Sequence, residues 1–334
     1  MKLSLEQIRN CANGCARVVS DNGKIKLLRF TEDQEILYSH SGPSRGYKKT
    51  FCTAGVKLEF VTNSHTLGLK VDVSEGSSRT FFCHDVFVNG EKRFELRGDV
   101  ADYTNGHAVL EGSYALGSGK KKVCIYFPWS VSSEIISVEL DNGATVAPVT
   151  YKRKILIFGD SITQGYDATF PSESYASMLT DALDAKSCNK GIGGEIFRPE
   201  LATLPDPYSP DVITVAYGTN DWSGADKQTF DKNSELFFAN LSALYPNAKI
   251  FALAPTWRGK LDQRTSAVGE FSYVAEKLSA IADSLPNVTF INCIDFIPHS
   301  PEMFSPDILH PNSLGFEHYG KNLIQTIKTE LGIE

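Results

Sequence analysis

The sequence predicts an α/β protein in which an all-β domain precedes a domain built on a parallel sheet. In the first part, apolar residues alternate with polar ones, as in strands with one face in solvent. In the second part, continuous apolar strands alternate with segments of helical period, as in a parallel sheet covered by helices on both faces. We therefore expect two domains, at residues 1–150 and 151–334.

The first domain is predicted to be a sandwich of jelly-roll type. Alternating strands are predicted at residues 55–61, 66–73 and 134–140. Asn-Gly turn signals lie around them, at residues 22–23, 89–90 and 142–143. Antiparallel strands of this kind bury their apolar faces by packing sheet on sheet. Before them, Ser4 and Gln7 have the spacing of a capping box, which predicts a short helix.

The second domain is predicted to place its ligand at one edge of the parallel sheet. Apolar strands are predicted at residues 155–158, 212–217, 250–254 and 288–293. Apolar stripes of helical period begin at Phe230, Phe271 and Phe316. Ligands of such folds bind at the carboxyl ends of the strands, near a topological switch point. Ser161 follows directly after the first of these strands.

Composition excludes several classes of function. The 334 residues carry a net charge of −7, which argues against a sequence-independent nucleic-acid binder or an anionic-membrane binder. No apolar run approaches the roughly 20 residues that span a bilayer, and the N-terminus has no signal-peptide core. Seven scattered cysteines indicate reduced thiols. We expect a cytoplasmic protein with no membrane or nucleic-acid partner.

Four short motifs follow strands of the second domain in a fixed order. They are GDSITQG (159–165), NKGIGGE (189–195), YGTNDW (217–222) and SPDILHPNSLGF (305–316). Each is weak evidence alone, because glycine turns, Asn-Asp pairs and single histidines are common. In the order Ser, Gly, Asn and Asp-x-x-His, they resemble the SGNH (GDSL-like) hydrolase superfamily over residues 154–334. The resemblance implies a flavodoxin-like three-layer domain and a serine ester hydrolase.

The resemblance assigns a role to five residues. Ser161 is the expected nucleophile, His310 its general base and Asp307 the residue that orients His310. The expected oxyanion donors are the backbone N–H groups of Ser161 and Gly194 and the side-chain amide of Asn220. The chemistry agrees, since a serine hydroxyl needs a base to become a nucleophile and a tetrahedral oxyanion needs fixed donors.

Other candidates in the sequence are weaker. Residues 42–46, GPSRG, match a nucleophile-elbow pattern, but Pro43 and the absence of a following helical pattern argue against it. His299 and His318 lack an acidic residue three positions earlier, so both are expected to be structural or rim residues. No metal motif or P-loop is present, and the GIGG segment is too short for a dinucleotide fingerprint. We therefore expect no metal and no cofactor.

The expected substrate is an ester of a sugar. A β-sandwich followed by an SGNH domain is similar to the carbohydrate esterases of family 2, which implies removal of O-acetyl groups through an acyl-enzyme. Trp222, Trp257 and Arg258 directly follow strands and are candidates for substrate contact. Packing of either tryptophan against a neighbouring helix is an equally open interpretation.

Two other functions stay open at this stage. A lysophospholipase or thioesterase could use the same scaffold, with a long apolar groove for the acyl chain. A carbohydrate-binding protein with an inactive hydrolase domain would have no chemical need for all five site residues. We also expect a loop of residues 1–150 to form one wall of the active-site cleft. The sugar, the acetylated position and the oligomeric state do not follow from the sequence.

Overall fold

The chain folds around three β-sheets, as seen in a computed structural model that describes residues 1–40 and 45–333. Its helices are α1 (Leu5–Cys11), α2 (Glu32–His40), α3 (Arg45–Thr50), α4 (Ser161–Gln164), α5 (Tyr175–Ala182), α6 (Thr219–Gly224), α7 (Lys227–Leu244), α8 (Ser272–Ser284) and α9 (Ser313–Leu331). None of the described helices has both the length and the apolar character needed to cross a bilayer.

The strands divide into an antiparallel set and a parallel set. Those of the first part are β1 (Ala12–Asn13), β2 (Arg17–Asp21), β3 (Lys24–Leu28), β4 (Lys57–Thr62), β5 (Thr66–Glu75), β6 (Phe81–Val88), β7 (Glu91–Asp99), β8 (His107–Ala115), β9 (Lys121–Tyr126), β10 (Val131–Leu140) and β11 (Val146–Pro148). Those of the second part are β12 (Arg153–Gly159), β13 (Ala185–Asn189), β14 (Val212–Ala216), β15 (Lys249–Leu253) and β16 (Val288–Ile291).

Two antiparallel sheets form the first part of the chain, as the alternating pattern predicts. One has the order β1-β4-β9-β6-β7 with β11 beside β4, and the other has the order β2-β3-β10-β5-β8. Apolar residues of both sheets, among them Phe60, Leu69 and Val138, share one core, so the sheets pack face to face. The predicted capping box is confirmed by reciprocal hydrogen bonds between Ser4 and Gln7. Jelly-roll connectivity stays a prediction.

The parallel sheet has the order β13-β12-β14-β15-β16, with every neighbouring pair parallel. This is the flavodoxin-like order, and its switch point lies at β12, where the chain turns to opposite sides of the sheet. Leu156 and Phe158 of β12 pack on one face, with apolar residues of α7 and α8. Ile155 and Ile157 pack on the other face, with residues of α5 and α9. The three-layer arrangement follows from this alternation.

The two parts of the chain share buried surface. Phe30 and Tyr38, from the first part, lie in the same core cluster as Leu156 of β12. Asn13 donates to the carbonyl of Ala185 at 3.0 Å and accepts from the Ser187 N–H at 2.8 Å, which extends hydrogen bonding beyond β13. The boundary at residue 150 stays a prediction, but the packing across it is continuous.

Arg29 joins the two parts at a single fully buried guanidinium. It donates to the carbonyls of Cys52 and Lys49 in the first part, at 2.6 and 2.9 Å. It also donates to the carbonyls of Asn189 and Gly191 in the second part, at 2.6 and 3.0 Å. Four carbonyls therefore share one buried side chain as a donor, and Lys49 O also accepts from the Cys52 N–H at 3.2 Å.

We expect Arg29→Met to lower the free energy of unfolding by about 3 kcal/mol or more, because buried carbonyls are left without donors. The measurement is urea unfolding of the full chain. Arg97→Met is the matched control, since its side chain is 57% exposed and pairs with Glu95 at 3.2 Å. It should change stability by about 0.5 kcal/mol or less. Equal stabilities for the two variants would contradict the role of Arg29.

Candidate active site

Ser161 lies at the carboxyl end of β12, at the switch point of the parallel sheet. It is the first residue of α4 and is 6% exposed. Asp160 caps this short helix, its Oδ1 accepting from the Ile162 N–H at 2.9 Å. A Cβ on Gly159 would lie 1.9 Å from Thr163 Oγ1, so only glycine allows the tight exit from the strand. The GDS turn thus holds the serine at a defined place on the sheet edge.

Ser161, His310 and Asp307 form a continuous hydrogen-bonded chain. Ser161 Oγ lies 2.8 Å from His310 Nε2. His310 Nδ1 lies 2.6 Å from Asp307 Oδ2. The structure therefore brings together the three side chains to which the sequence assigns nucleophile, base and orienting roles, although it does not itself test those roles. In this arrangement a proton on Nδ1 is held by the carboxylate, and Nε2 is available to accept the serine proton.

The turn between Asp307 and His310 presents the carboxylate to the histidine. Asp307 Oδ1 accepts the backbone N–H groups of Leu309 and His310, at 2.9 and 3.0 Å, which leaves Oδ2 for the ring. Ile308 has φ +51°, an unfavourable value for a β-branched residue. Backbone bonds from Ile308 N–H to Ser305 O and from Gly259 N–H to Ile308 O, at 2.8 and 2.7 Å, hold it there.

The same contacts set the charge of Asp307. Its burial raises the pKa of the carboxyl, but hydrogen bonds from the His310 ring and from two backbone N–H groups outweigh this effect. The pKa of Asp307 therefore lies well below its usual range, and the carboxylate is ionised at neutral pH. An ionised acceptor is what a histidine needs in order to become an imidazolium during proton transfer.

The glycine-rich loop 189–195 is bonded directly to the helix that carries Ser161. Asn189 Oδ1 accepts from the Gly191 N–H at 2.7 Å, and its amide donates to Thr163 O at 2.7 Å. Gln164 Oε1 accepts from the Gly193 N–H at 2.8 Å. A Cβ on Gly191 would lie 2.4 Å from Gln164 N, so this glycine permits the close approach. These hydrogen bonds fix the position of the glycine-rich loop relative to α4, the helix that begins with Ser161.

The three expected oxyanion donors lie on neighbouring loops of this sheet edge. Gly194 has φ +84°, in the region that favours glycine. Within the described residues, neither the Ser161 N–H nor the Gly194 N–H is donated to a protein acceptor. The Asn220 amide donates to Glu195 O at 3.0 Å and lies 3.4 Å from Asp160 Oδ2, which places it beside both residues.

The three residues predicted to contact substrate are placed differently from one another. Trp222 is 3% exposed and its indole N–H is bonded to Gly269 O at 2.8 Å. It packs on Phe271 and presents no ring face to solvent, which favours the packing interpretation over sugar stacking. Arg258 is also buried, and donates to Thr219 and Ser223 at 3.0 Å.

Trp257 remains partly exposed and stacks on His299, with ring centroids 5.1 Å apart and an interplanar angle of 13°. His299 also lies 3.1 Å from Ile294 O and from Asp295 Oδ1. A rim or structural role for His299, as expected from the sequence, fits these contacts. The GPSRG segment (42–46) lies largely outside the described residues, so its interpretation stays a prediction.

Residues that the sequence analysis missed line the cleft beside Asp307. A cavity of about 610 Å³ is bordered by Arg79, Phe81, Asp99 and Trp129 of the first part, and by Asp167 and residues 305–307 of the second. The first part therefore forms one wall of this cleft, whereas its expected role as a wall of the active-site cleft stays a prediction, and no local pattern marked which residues would line it. The spacing of these lining residues in the sequence does not predict the cleft, because they come together only when the two parts of the chain pack against each other.

Arg79 is the charged centre of that wall. It donates to both Asp167 oxygens, at 2.7 and 3.0 Å, and lies 3.8 Å from Asp307 Oδ2. Asp167, Asp307 and His310 bring three possible metal-ligand atoms within 4.8 Å of one another. The Arg79 guanidinium already supplies positive charge to both carboxylates, so this donor set is balanced by the protein itself.

Two further carboxyl groups are buried at the site. Burial raises the pKa of Asp160 to about 6 and that of Asp221 to about 7. Asp221 Oδ1 accepts from the Phe197 N–H at 3.1 Å, whereas Oδ2 is buried without a hydrogen-bond partner among the described residues. Because the pKa of Asp221 is raised by folding, the folded protein binds the proton of this carboxyl group more tightly than the unfolded chain does. The protonated Asp221 therefore contributes stability at low pH, and this contribution is lost as pH rises from about 4 to about 7.

We expect Asp221→Asn to stabilise the protein at pH 8, by about 1–2 kcal/mol, and to have little effect at pH 4, because the amide stays neutral throughout. Urea unfolding at pH 4, 6 and 8 measures this. Asp226→Asn is a control of opposite sign, since hydrogen bonds from Thr229 lower the pKa of this exposed helix cap. A stability of Asp221→Asn that follows the wild type at every pH would refute the expectation.

Comparisons with known proteins show which family the site-bearing part of the chain resembles. A model of the GDSL-like lipase/acylhydrolase family matches residues 157–318, which include all five residues of the motif. No curated protein matches the sequence.

Solved structures share the fold across both parts of the chain. The salicylyl-acyltransferase SsfX3 from a tetracycline biosynthetic pathway has a TM-score of 0.81 at 20% identity, covering 96% of this chain and 94% of that one. An acetyl xylan esterase from the rumen bacterium Butyrivibrio proteoclasticus has a TM-score of 0.67 at 16% identity, covering 99% and 98%.

A family two carbohydrate esterase from Cellvibrio japonicus has a TM-score of 0.65 at 17% identity, covering 98% and 97%. At these identities the likeness is one of fold. Residues 157–318 therefore match the GDSL-like lipase/acylhydrolase family, and the chain shares its fold with solved proteins that include carbohydrate esterases.

Proposed function

We propose that the protein is a serine esterase that removes O-acetyl groups from carbohydrates. The observation that carries the proposal is the unbroken hydrogen-bonded chain from Asp307 through His310 to Ser161, at the carboxyl edge of the sheet. It is supported by two backbone N–H groups and an amide that remain beside the serine. Nucleophile, base and oxyanion donors together are what acyl transfer requires.

The mechanism follows from the positions of the atoms. His310 Nε2 accepts the Ser161 proton as Oγ attacks the ester carbonyl, and Asp307 stabilises the imidazolium that forms. The N–H groups of Ser161 and Gly194 and the Asn220 amide stabilise the negative oxygen of the tetrahedral intermediate. His310 then gives its proton to the departing sugar oxygen, which leaves an acetyl-serine. Water, deprotonated by His310, hydrolyses that ester and restores the serine.

A short acyl group and a polar leaving group agree with two cavities near the serine. The cavity bordered by Asp160, Ile162 and Tyr217 has a volume of only about 20 Å³, which is too small for a long chain. The cleft beside Asp307 is wider and is lined by charged and hydroxyl side chains as well as Phe81 and Trp129. Sugars bind to such mixed surfaces by hydrogen bonds and ring contacts.

Two structural relatives act on carbohydrates by their names, one as an acetyl xylan esterase and one as a family two carbohydrate esterase. They support the choice of substrate class without fixing the sugar. We further propose that the first part of the chain limits which sugars enter, through the cleft wall that contains Arg79 and Trp129. We also propose a cytoplasmic location, as predicted from the sequence. The substrate of the protein would then be a small acetylated oligosaccharide.

Ser161→Ala should lower kcat for p-nitrophenyl acetate by at least about 10³-fold, because Ser161 carries the hydroxyl that is hydrogen-bonded to His310 Nε2. Folding should be unaffected. Ser118→Ala, in an exposed turn of the first part, is the control and should retain activity. Turnover of Ser161→Ala within about tenfold of the wild type would place the nucleophile elsewhere.

Acyl chain length separates the proposal from a lysophospholipase or thioesterase. We expect kcat/KM to fall at least about tenfold from p-nitrophenyl acetate through butyrate to octanoate, because the proposed substrate carries a short acyl group and the cavity bordered by Asp160 and Ile162, of about 20 Å³, is too small for a longer chain. A rate that rises with chain length would contradict an acetylesterase and favour the lipid alternative. No turnover of any acyl ester would favour a binding protein with an inactive hydrolase domain.

A further inference from the structure

The peptide between Gly193 and Gly194 carries the N–H that is assigned to the oxyanion. In a trans peptide the C=O and the N–H point in opposite directions. The direction of the Gly194 N–H is therefore fixed by whatever holds the Gly193 carbonyl. If this peptide plane turned over, the carbonyl oxygen would face the oxyanion position and repel it.

The loop itself does little to prevent such a rotation. Both residues that flank the peptide are glycines, and glycine adopts positive and negative φ with similar ease. Among the described residues, a Cβ on Gly194 would meet nothing closer than Lys49 Nζ at 4.0 Å, so these residues leave space around it. The bond from the Gly193 N–H to Gln164 fixes the preceding peptide, not this one. The orientation needs a contact from outside the loop.

Lys49 provides that contact from the first part of the chain. Its ammonium donates to the Gly193 carbonyl, and the residue is 8% exposed. A charge-assisted hydrogen bond is stronger than a bond between neutral groups, and burial strengthens it further. The bond also polarises the Gly193–Gly194 peptide, which makes the Gly194 N–H a better donor.

The backbone of Lys49 is tied to the same loop. Arg29 donates to Lys49 O at 2.9 Å and, with another nitrogen of the same guanidinium, to Asn189 O and Gly191 O. Arg29 thereby fixes the distance between the end of α3 and the glycine-rich loop. The Lys49 side chain therefore extends to the Gly193 carbonyl from a backbone whose position is fixed by Arg29.

We propose that Lys49 is a positioning residue for ester hydrolysis, which holds the Gly193–Gly194 peptide so that the Gly194 N–H faces the oxyanion. The β-sheet part of the chain then contributes to transition-state stabilisation as well as to the cleft wall. This inference rests on the proposed function, since it requires the Gly194 N–H to act on an acyl oxygen.

The test compares Lys49→Met with Lys49→Arg and Lys48→Met in the full chain. Met keeps the length of the side chain and removes its donors, whereas Arg restores a charged donor. Lys48 is the matched control, because its side chain is 57% exposed and pairs with Glu75 at 2.9 Å, away from the loop. Each variant is assayed for kcat and KM on p-nitrophenyl acetate, for inhibition by phenylboronic acid, and for its melting temperature.

We expect Lys49→Met to lower kcat by about 10- to 100-fold with KM changed by about twofold or less, since the lost interaction forms in the transition state. Affinity for the boronate, which forms a tetrahedral adduct on serine, should fall in parallel. Lys49→Arg should recover part of the loss, and Lys48→Met should match the wild type. A purely structural role would lower the melting temperature without this selective loss of kcat.

The outcomes separate this inference from the function on which it rests. Wild-type kcat in folded Lys49→Met, with Ser161→Ala inactive, would overturn the role of Lys49 and leave the esterase proposal standing. An active Ser161→Ala would overturn both. If Lys49→Met does not fold, Lys49→Leu, which has a shorter side chain, replaces it and is judged by the same kcat criterion.

Discussion

The buried Arg29 guanidinium is the interaction on which the arrangement of the site depends. It satisfies four carbonyls, two from each part of the chain, at the point where the glycine-rich loop leaves the parallel sheet. A loop of glycines has the most conformational freedom to lose, so its ordering requires contacts that more than offset this entropy. Arg29 and the Asn189 side chain supply them, through bonds to Gly191 O and from the Gly191 N–H.

The carboxylates of the site behave in two opposite ways. Asp307 accepts three hydrogen bonds and is held ionised, so it can stabilise a positive charge on His310. Asp160 and Asp221 are buried with fewer donors, and burial raises their pKa values toward neutrality. Their loops therefore carry an electrostatic cost above about pH 7 that the surrounding packing offsets. The arrangement of carboxyl groups beside Ser161 therefore comes at some expense of stability.

Sequence reasoning could predict whatever depends on local pattern. The strand that delivers Ser161, the Asp307–His310 spacing and the Gly194 turn are each encoded within a few residues, and the family resemblance supplied their common purpose. The orientation of Trp222 and Arg258 was not predictable in this way, because both follow strands in sequence but turn toward the core. The roles of Arg29, Lys49 and Arg79 could not be predicted from the sequence. Their partners in the second part of the chain lie more than 80 positions away, and no repeat or motif marks these three residues.

The position of these three basic residues explains why the first part of the chain is joined so closely to the second. Lys49 and Arg29 contact the loop that carries the Gly194 N–H. Arg79 contacts Asp167, which lies beside Asp307 and His310. The positively charged groups of one part thus meet the carbonyl oxygens and carboxylates of the other, on both sides of Ser161. Hydrogen bonds from charged donors depend on distance and direction more steeply than apolar contacts do. A small shift between the two parts would therefore disturb the donor geometry around the serine before it disrupted either core.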